Sequence, residues 1–264
     1  MDLRRLLILL CAQLAVALVP AHAADTPNLA AASDLKFALP EVADAFERAT
    51  GQKVRLSFGS SGVFRRQIAE GAPFELFLSA DEAYVEALHQ EGRTEDAGAL
   101  YAIGRLVLYL PHGSPVKADK DLRDLAAAAR DGRLKHLALA NPEHAPYGRA
   151  AREALQHVDA WEAVKDKLVL GENVAQAARF ATSGSAQAAI LPYSLAIAPE
   201  ISGKGGFVTL PQSWHAPLRQ RMALVKGAGD TARRFFRFMQ EREARAVLDK
   251  HGFTLPPPAS ATKP

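Results

Sequence analysis

Short apolar runs separated by amphipathic stretches recur along this chain from Leu29 onward, a pattern met by strands buried between layers of helix. Leu29-Ala30-Ala31-Ala32 reads as a first strand, after which Leu35, Leu39, Val42 and Phe46 share one face of a helix that starts at Asp34 and stops at Gly51. Val54, Leu56 and Phe58 alternate as a second strand. Gly59-Ser60-Ser61-Gly62 then forms a tight turn ahead of a helix bearing Phe64 and Ile68. Leu76-Phe77-Leu78 is a third strand, and Ser79-Ala80-Asp81 opens a helix through Leu88. The unit of strand, polar turn and helix thus appears three times, which gathers helix N-termini along one edge of a mainly parallel sheet.

A strand from Arg105 to Leu110 leads into a second series: Leu137-Ala138-Leu139-Ala140, a helix from Gly148 to Val158, Leu168-Val169-Leu170, a helix from Ala175, and Ala189-Ile190-Leu191. A strand from Arg221 to Val225 should return the chain to the first lobe, where one final helix from Thr231 to Lys250 closes the core. The expectation is an α/β protein of two lobes, each a mainly parallel sheet flanked by helices, joined by a hinge near residue 108. The divisions are then 1–23 for an export signal, 24–108 for the first part of lobe 1, 109–219 for lobe 2, 220–254 for the return to lobe 1, and 255–264 for a loose tail.

The compartment is read from the N-terminus. Arg4 and Arg5 precede an apolar run from Leu6 to Val19 that ends at Pro20-Ala21-His22-Ala23, the order of a cleavable secretory signal. At about 14 residues the run is shorter than the roughly 20 that a spanning helix needs, and no other run approaches that length. A periplasmic monomer with no stable membrane insertion after cleavage is expected. The only cysteine, Cys11, lies within this run, so a mature chain has no disulfide, thiolate zinc site or cysteine nucleophile. The formal charge of +3, with basic residues that lack aromatic interleaving, carries no nucleic-acid signature. Arg233, Arg234 and Arg237 form the densest basic cluster and read as a solvated helix face.

A small anion needs no lysine or arginine where helices begin, because the first turn presents unpaired backbone N–H groups at the positive end of the helix dipole. Four segments precede expected helices: Ala32-Ser33-Asp34, Gly59-Ser60-Ser61-Gly62, Pro142 to Gly148, and Glu172-Asn173-Val174. A serine at such a place is also an ordinary helix cap, and that reading competes at Ser33. At 59–62, two serines between glycines exceed what capping requires, and glycine permits close backbone approach.

Ala31-Ala32-Ser33, Phe58-Gly59-Ser60-Ser61-Gly62, Gln67-Ile68 with Gly71-Ala72-Pro73, Leu78-Ser79-Ala80-Asp81, and Pro142-Glu143-His144 with Pro146 form an ordered set. In these residues the chain resembles the periplasmic molybdate-binding proteins of ABC transporters, over essentially all of the part beyond the signal. The resemblance implies a two-lobed periplasmic-binding-protein fold, molybdate or tungstate as ligand, no cofactor, no enzymatic activity and no direct protein ligand to the metal. It also implies an inner-membrane ABC permease as partner. Residue by residue, it implies hydroxyl and backbone donors from Ser33 and Ser61, a backbone N–H from Val174, and the backbone or hydroxyl of Tyr147, with Ser60 and Gly62 lining their turn. Two positions depart from the family pattern. Asp34 stands where an uncharged residue is more usual, and as a first-turn carboxylate it is expected to point outward. Tyr193 stands where one branch supplies a ligand tyrosine, but its neighbours do not align, and a wall residue is the competing reading.

Other functions meet specific obstacles. A serine hydrolase would use Ser60 or Ser61, yet the turn is not Gly-x-Ser-x-Gly and no His and acid pair stands in a compatible order, so no catalytic residue is assigned. His144 reads as a structural turn residue, and Trp161 and Trp214 as packing or surface aromatics. An amino-acid binder should offer an arginine and an acid in the cleft segments. Sulfate and phosphate are the nearer rivals, and Asp34 keeps phosphate open because a carboxylate accepts the proton of the monohydrogen anion. Neutral donors at fixed spacing select by size, favouring molybdate and tungstate over the smaller sulfate.

Overall fold

A computed structural model describes residues 26–257. The expected export signal, Cys11 and residues 258–264 of the expected tail lie outside the described residues. The first strand, β1 (Asn28–Ala32), leads through a 3-10 turn at Ser33–Leu35 into α1 (Ala38–Thr50), which ends at Gly51 in the left-handed region with φ 71. β2 (Arg55–Gly59), α2 (Ser61–Ala69), β3 (Leu76–Ser79), α3 (Glu82–Gln90) and β4 (Ala99–Ile103) follow. The chain then crosses to a second sheet with β5 (Leu106–Pro111), α4 (Arg123–Asp131), β6 (Leu137–Ala140), α5 (Pro146–His157), β7 (Leu168–Gly171), α6 (Val174–Thr182), β8 (Ala188–Pro192) and β9 (Gly205–Thr209). It returns with β10 (Arg219–Leu224), α7 (Asp230–Phe238) and α8 (Arg242–Lys250).

The strand orders are β2-β1-β3-β10-β4 and β7-β6-β8-β5-β9. In each sheet a single strand, β10 or β5, runs against its two neighbours, and the others share one direction. Those two reversed strands are the ones that follow the crossings between lobes, so the exchange of chain between lobes places each against the parallel set. Because β5 pairs only with β8 and β9, the chain crosses at Gly104-Arg105, a few residues before the hinge position read from the sequence. A residue-by-residue apolar pattern does not say which sheet a strand joins.

Other differences are local. Asp34 lies in the 3-10 turn rather than in the α-helix, which starts at Ala38. The strands β4 and β9 and the helix α4 were not read from the sequence. The single C-terminal helix is two: Phe235 and Phe238 face the lobe 1 core from α7, and Ala244, Val247 and Leu248 face it from α8. An unbroken helix would bring Arg242, two turns beyond Phe235, onto the buried face, and the break at 239–241 re-aims the second half. The tail is held at its start, where Leu255 packs on the lobe 1 core and the Pro256 carbonyl accepts from Arg245 Nη2 at 2.6 Å.

Lobe 1 closes around aromatic side chains: the Phe46 ring of α1 meets Phe235 edge-on at 5.1 Å and Phe238 at 5.6 Å between centroids. Lobe 2 instead packs alanine-rich helices on its sheet, with Ala150, Ala151 and Ala154 of α5 and Ala177, Ala178 and Ala181 of α6 buried. Phe46 is fully buried at the meeting point of α1 and α7. Phe46→Ala is expected to cost about 3–5 kcal/mol, seen as a lower urea midpoint at unchanged slope.

Candidate functional site

The parallel strands deliver their C-terminal ends, and the helix starts that follow, to the space between the lobes. One small cavity there is lined from lobe 1 by Ala32, Ser33, Asp34, Gly59, Ser60, Ser61 and Ala80. Ala145, Pro146, Tyr147, Asn173 and Val174 line it from lobe 2. The cavity is small, and it is walled by backbone turns and short side chains from both lobes. No lysine, arginine or histidine is among the lining residues. Larger grooves of ≈ 230 and ≈ 440 Å³ lie elsewhere, and neither is lined by the serine turns.

Ser60 holds the N-cap position of α2, but none of the three serine side chains makes a capping hydrogen bond, which removes the competing reading at Ser33. The Ser33 hydroxyl donates to the Gly59 carbonyl at 3.1 Å, tying the first turn to the second. Ser61, only 1% exposed, accepts from the Ala80 N–H at 3.0 Å and so keeps its own proton to donate. In lobe 2, Pro146 opens α5 without an N–H, which makes Tyr147 the first backbone donor of that helix. At α6 the Asn173 side chain accepts from Ala175 and Gln176 at 3.0 and 3.1 Å, leaving the N–H of Val174, the first helical residue, outside the cap.

The lobes also touch directly beside the cavity. The His144 carbonyl accepts from Ser60 Oγ at 2.5 Å and from the Gly62 N–H at 3.0 Å. Gly62 is therefore part of the contact between lobes and not of the cavity wall. A Cβ at Gly62 would stand 2.5 Å from that carbonyl oxygen, so the lobes meet this closely only because the position is glycine. Arg149 of α5 forms an ion pair with Asp81 at the start of α3. His144 Nδ1 is 3.0 Å from Ser60 Oγ and its Nε2 is 3.6 Å from Glu172, a spatial Ser-His-acid set that the sequence order did not reveal. The serine hydroxyl is directed at the His144 carbonyl, however, rather than at the imidazole that would have to take its proton.

Asp34 corrects the sequence reading. It faces inward and is 1% exposed, because the 3-10 turn aims its side chain between the lobes instead of along a helix surface. Its Oδ2 accepts from Gln220 Nε2 at 2.6 Å; the same amide reaches the Tyr147 hydroxyl at 3.0 Å, and Gln220 Oε1 accepts from Tyr101 at 2.8 Å. Asp34 Oδ1 has no hydrogen-bond partner of acceptable geometry. Burial pushes the carboxyl up to about 6, opposed by the Gln220 amide, the Tyr147 hydroxyl and nearby backbone N–H groups. Burial, and then the adjacent Asp34 charge, hold the Tyr101 and Tyr147 hydroxyls well above the ordinary phenol range. Tyr147 thus spends its hydroxyl on this network, and its backbone N–H is the donor at the cavity. Gln220 and Tyr101 were missed; a lone glutamine beside an apolar return strand was the available signal.

Tyr193 does not line the cavity. Its ring lies under the Arg105 guanidinium at 4.1 Å and against Phe207 at 5.5 Å, at the crossing between lobes. Trp161 packs on the lobe 2 core, and Trp214 stacks on His157 at 5.6 Å. Among the described residues there is no cluster of metal-ligating side chains and no helix long and apolar enough to cross a membrane.

Comparison with known proteins finds a solute-binding family and, within it, molybdate-binding relatives. A family profile described as bacterial extracellular solute-binding protein matches residues 27–254. The chain is 36% identical over 216 residues to molybdate-binding protein ModA of Rhodobacter capsulatus, covering 81% of this chain and 82% of that protein. It is 35% identical over 232 residues to ModA of Azotobacter vinelandii, covering 86% and 89%. The solved Azotobacter vinelandii periplasmic molybdate-binding protein matches with a TM-score of 0.80 and 29% identity, over 87% of this chain and 99% of that chain.

Asp34 gives the folded state a pH signature. Its carboxyl holds a proton more tightly folded than unfolded, so its contribution to stability is complete below about pH 3.8 and is lost as pH rises through about 6. Asp34→Asn is expected to exceed the wild type by about 3 kcal/mol at pH 8 and to match it at pH 4, measured by urea unfolding at both values.

Proposed function

The chain belongs to the bacterial extracellular solute-binding protein family, in the company of its molybdate-binding members, and from that premise we propose that it captures molybdate in the periplasm and delivers it to an inner-membrane ABC permease. The observation that carries this reading is the single cavity on which four chain turns converge with neutral donors and no cationic side chain. From lobe 1 Ser61 gives its hydroxyl and backbone N–H and Ser33 its backbone N–H, the Ser33 hydroxyl being held by the Gly59 carbonyl, and Tyr147 and Val174 give backbone N–H groups from lobe 2. Ser60 lines the same turn but spends its hydroxyl on the contact between lobes.

The anion enters between open lobes, and lobe 2 closes until His144 meets Ser60 and Gly62. No bond of the ligand is broken, no cofactor takes part, and the metal is held only through its oxygens. Size selects the ligand: donors spaced for the larger tetrahedral anion leave the hydrogen bonds of sulfate stretched, while tungstate fits as molybdate does. The closed monomer then docks on the permease.

Phosphate is the second reading, favoured by the partnerless Oδ1 of Asp34 on a residue that lines the cavity. Calorimetric titration with molybdate, tungstate, sulfate and phosphate separates the two: heat with molybdate and tungstate is expected, and heat with phosphate alone would overturn the assignment. Ser61→Ala is expected to weaken molybdate binding by about 1.5–3 kcal/mol, roughly ten- to a hundredfold in Kd. An unchanged Kd would remove Ser61 from the site.

A further inference from the structure

Asp34 is a like charge placed beside the proposed seat of a dianion. Only Gln220 and, more weakly, Tyr147 and local backbone N–H groups stabilise its ionised form. The 3-10 turn that carries it is packed by β2, α6 and the single-turn helix Tyr193–Ala196, where Ser194 donates to the Asp34 carbonyl; Gln220 joins it to β10 and, through the same amide, to Tyr147 of α5. The cations on these elements are engaged or aimed elsewhere. Arg179 of α6 lines an outer groove with Lys36, and Arg55 of β2 bonds to Asn28 at the far end of its strand. Arg219 and Arg221 of β10 pair with Glu82, and Arg149 of α5 with Asp81. Of the titratable groups, Tyr147 and, behind Gln220, Tyr101 face the carboxylate, whereas Tyr193 lies under Arg105.

Resting on the oxyanion reading above, we propose that Asp34 is a proton-taking positioning residue: the protein binds the anion together with one proton, which converts the Asp34 carboxylate to the neutral acid. Two like charges side by side in a buried site disfavour the ionised carboxylate, so arrival of the dianion strengthens the hold on a proton from solvent. The proton adds to the carboxylate and no other bond changes. Oδ2 already accepts from Gln220, and the proton therefore belongs on the partnerless Oδ1, where the acid becomes one more donor at the cavity. The interaction that would have repelled the ligand becomes one that holds it. The raised affinity of the empty site for a proton, near pH 6, is the same tendency before the ligand arrives.

The test is calorimetric titration of the mature protein with sodium molybdate near pH 7.5, in buffers of different ionisation enthalpy, so that the dependence of heat on buffer counts protons. Uptake of about one proton is expected for the wild type, with apparent affinity falling about tenfold per pH unit above pH 7. Asp34→Asn should bind with no uptake and a flat pH profile. The carbonyl stretch of a protonated carboxyl should appear in the infrared difference spectrum on loading. Wild-type binding with no proton uptake overturns the proposal whatever the variant does, and so does uptake that persists in Asp34→Asn. Absence of heat with molybdate overturns the molybdate reading itself. Phosphate binding without uptake would then assign Asp34 to the proton that phosphate brings.

Discussion

A backbone N–H in the first turn of a helix has no partner inside that helix, and this fold turns several such groups toward one point. The three parallel strands of lobe 1 and the two of lobe 2 that precede cavity-lining turns all end at the same space. Everything else near the cavity serves to keep those donors unspent. Asn173 caps its helix without using the N–H of Val174, Pro146 has no N–H to waste, and the three serine side chains make no capping hydrogen bond. A dianion held this way is neutralised by dipoles fixed in place rather than by mobile ammonium groups, which suits selection by size.

Closure depends on small parts. Two hydrogen bonds to one carbonyl oxygen of His144 join the lobes, and they form only where Gly62 has no side chain to hold them apart. At the crossing, Gly104 plays the matching role: a Cβ there would stand 2.1 Å from the Tyr147 hydroxyl and 3.0 Å from Gln220 Nε2. The hinge region and the cavity therefore share a buried polar network of Asp34, Gln220, Tyr147 and Tyr101, contributed by both lobes. A buried carboxylate with one oxygen unpaired is costly, and its place between the lobes links closure, charge and ligand.

Much of this molecule is legible along the chain, because the quantities concerned are local. Period-2 and period-3.6 apolar spacing, the glycine stop at Gly51, and small polar residues at strand ends set the order of strands, turns and helices. Four segments were picked out by preceding expected helices, Ser33, Ser61, Tyr147 and Val174 within them by the family resemblance, and the structure brings all four to one cavity. The tertiary structure decided what depends on partners distant in sequence. Asp34 turns inward because Gln220, 186 positions away, offers its amide there; Tyr147 gives up its hydroxyl to the same group, 73 positions away. Tyr193 belongs to the crossing rather than the cavity because Arg105 and Phe207 enclose it, and β5 joins the second sheet because its pairing edge is there. Periodicity determines which face of an element is buried, but only the assembled lobes determine which group waits on the other side.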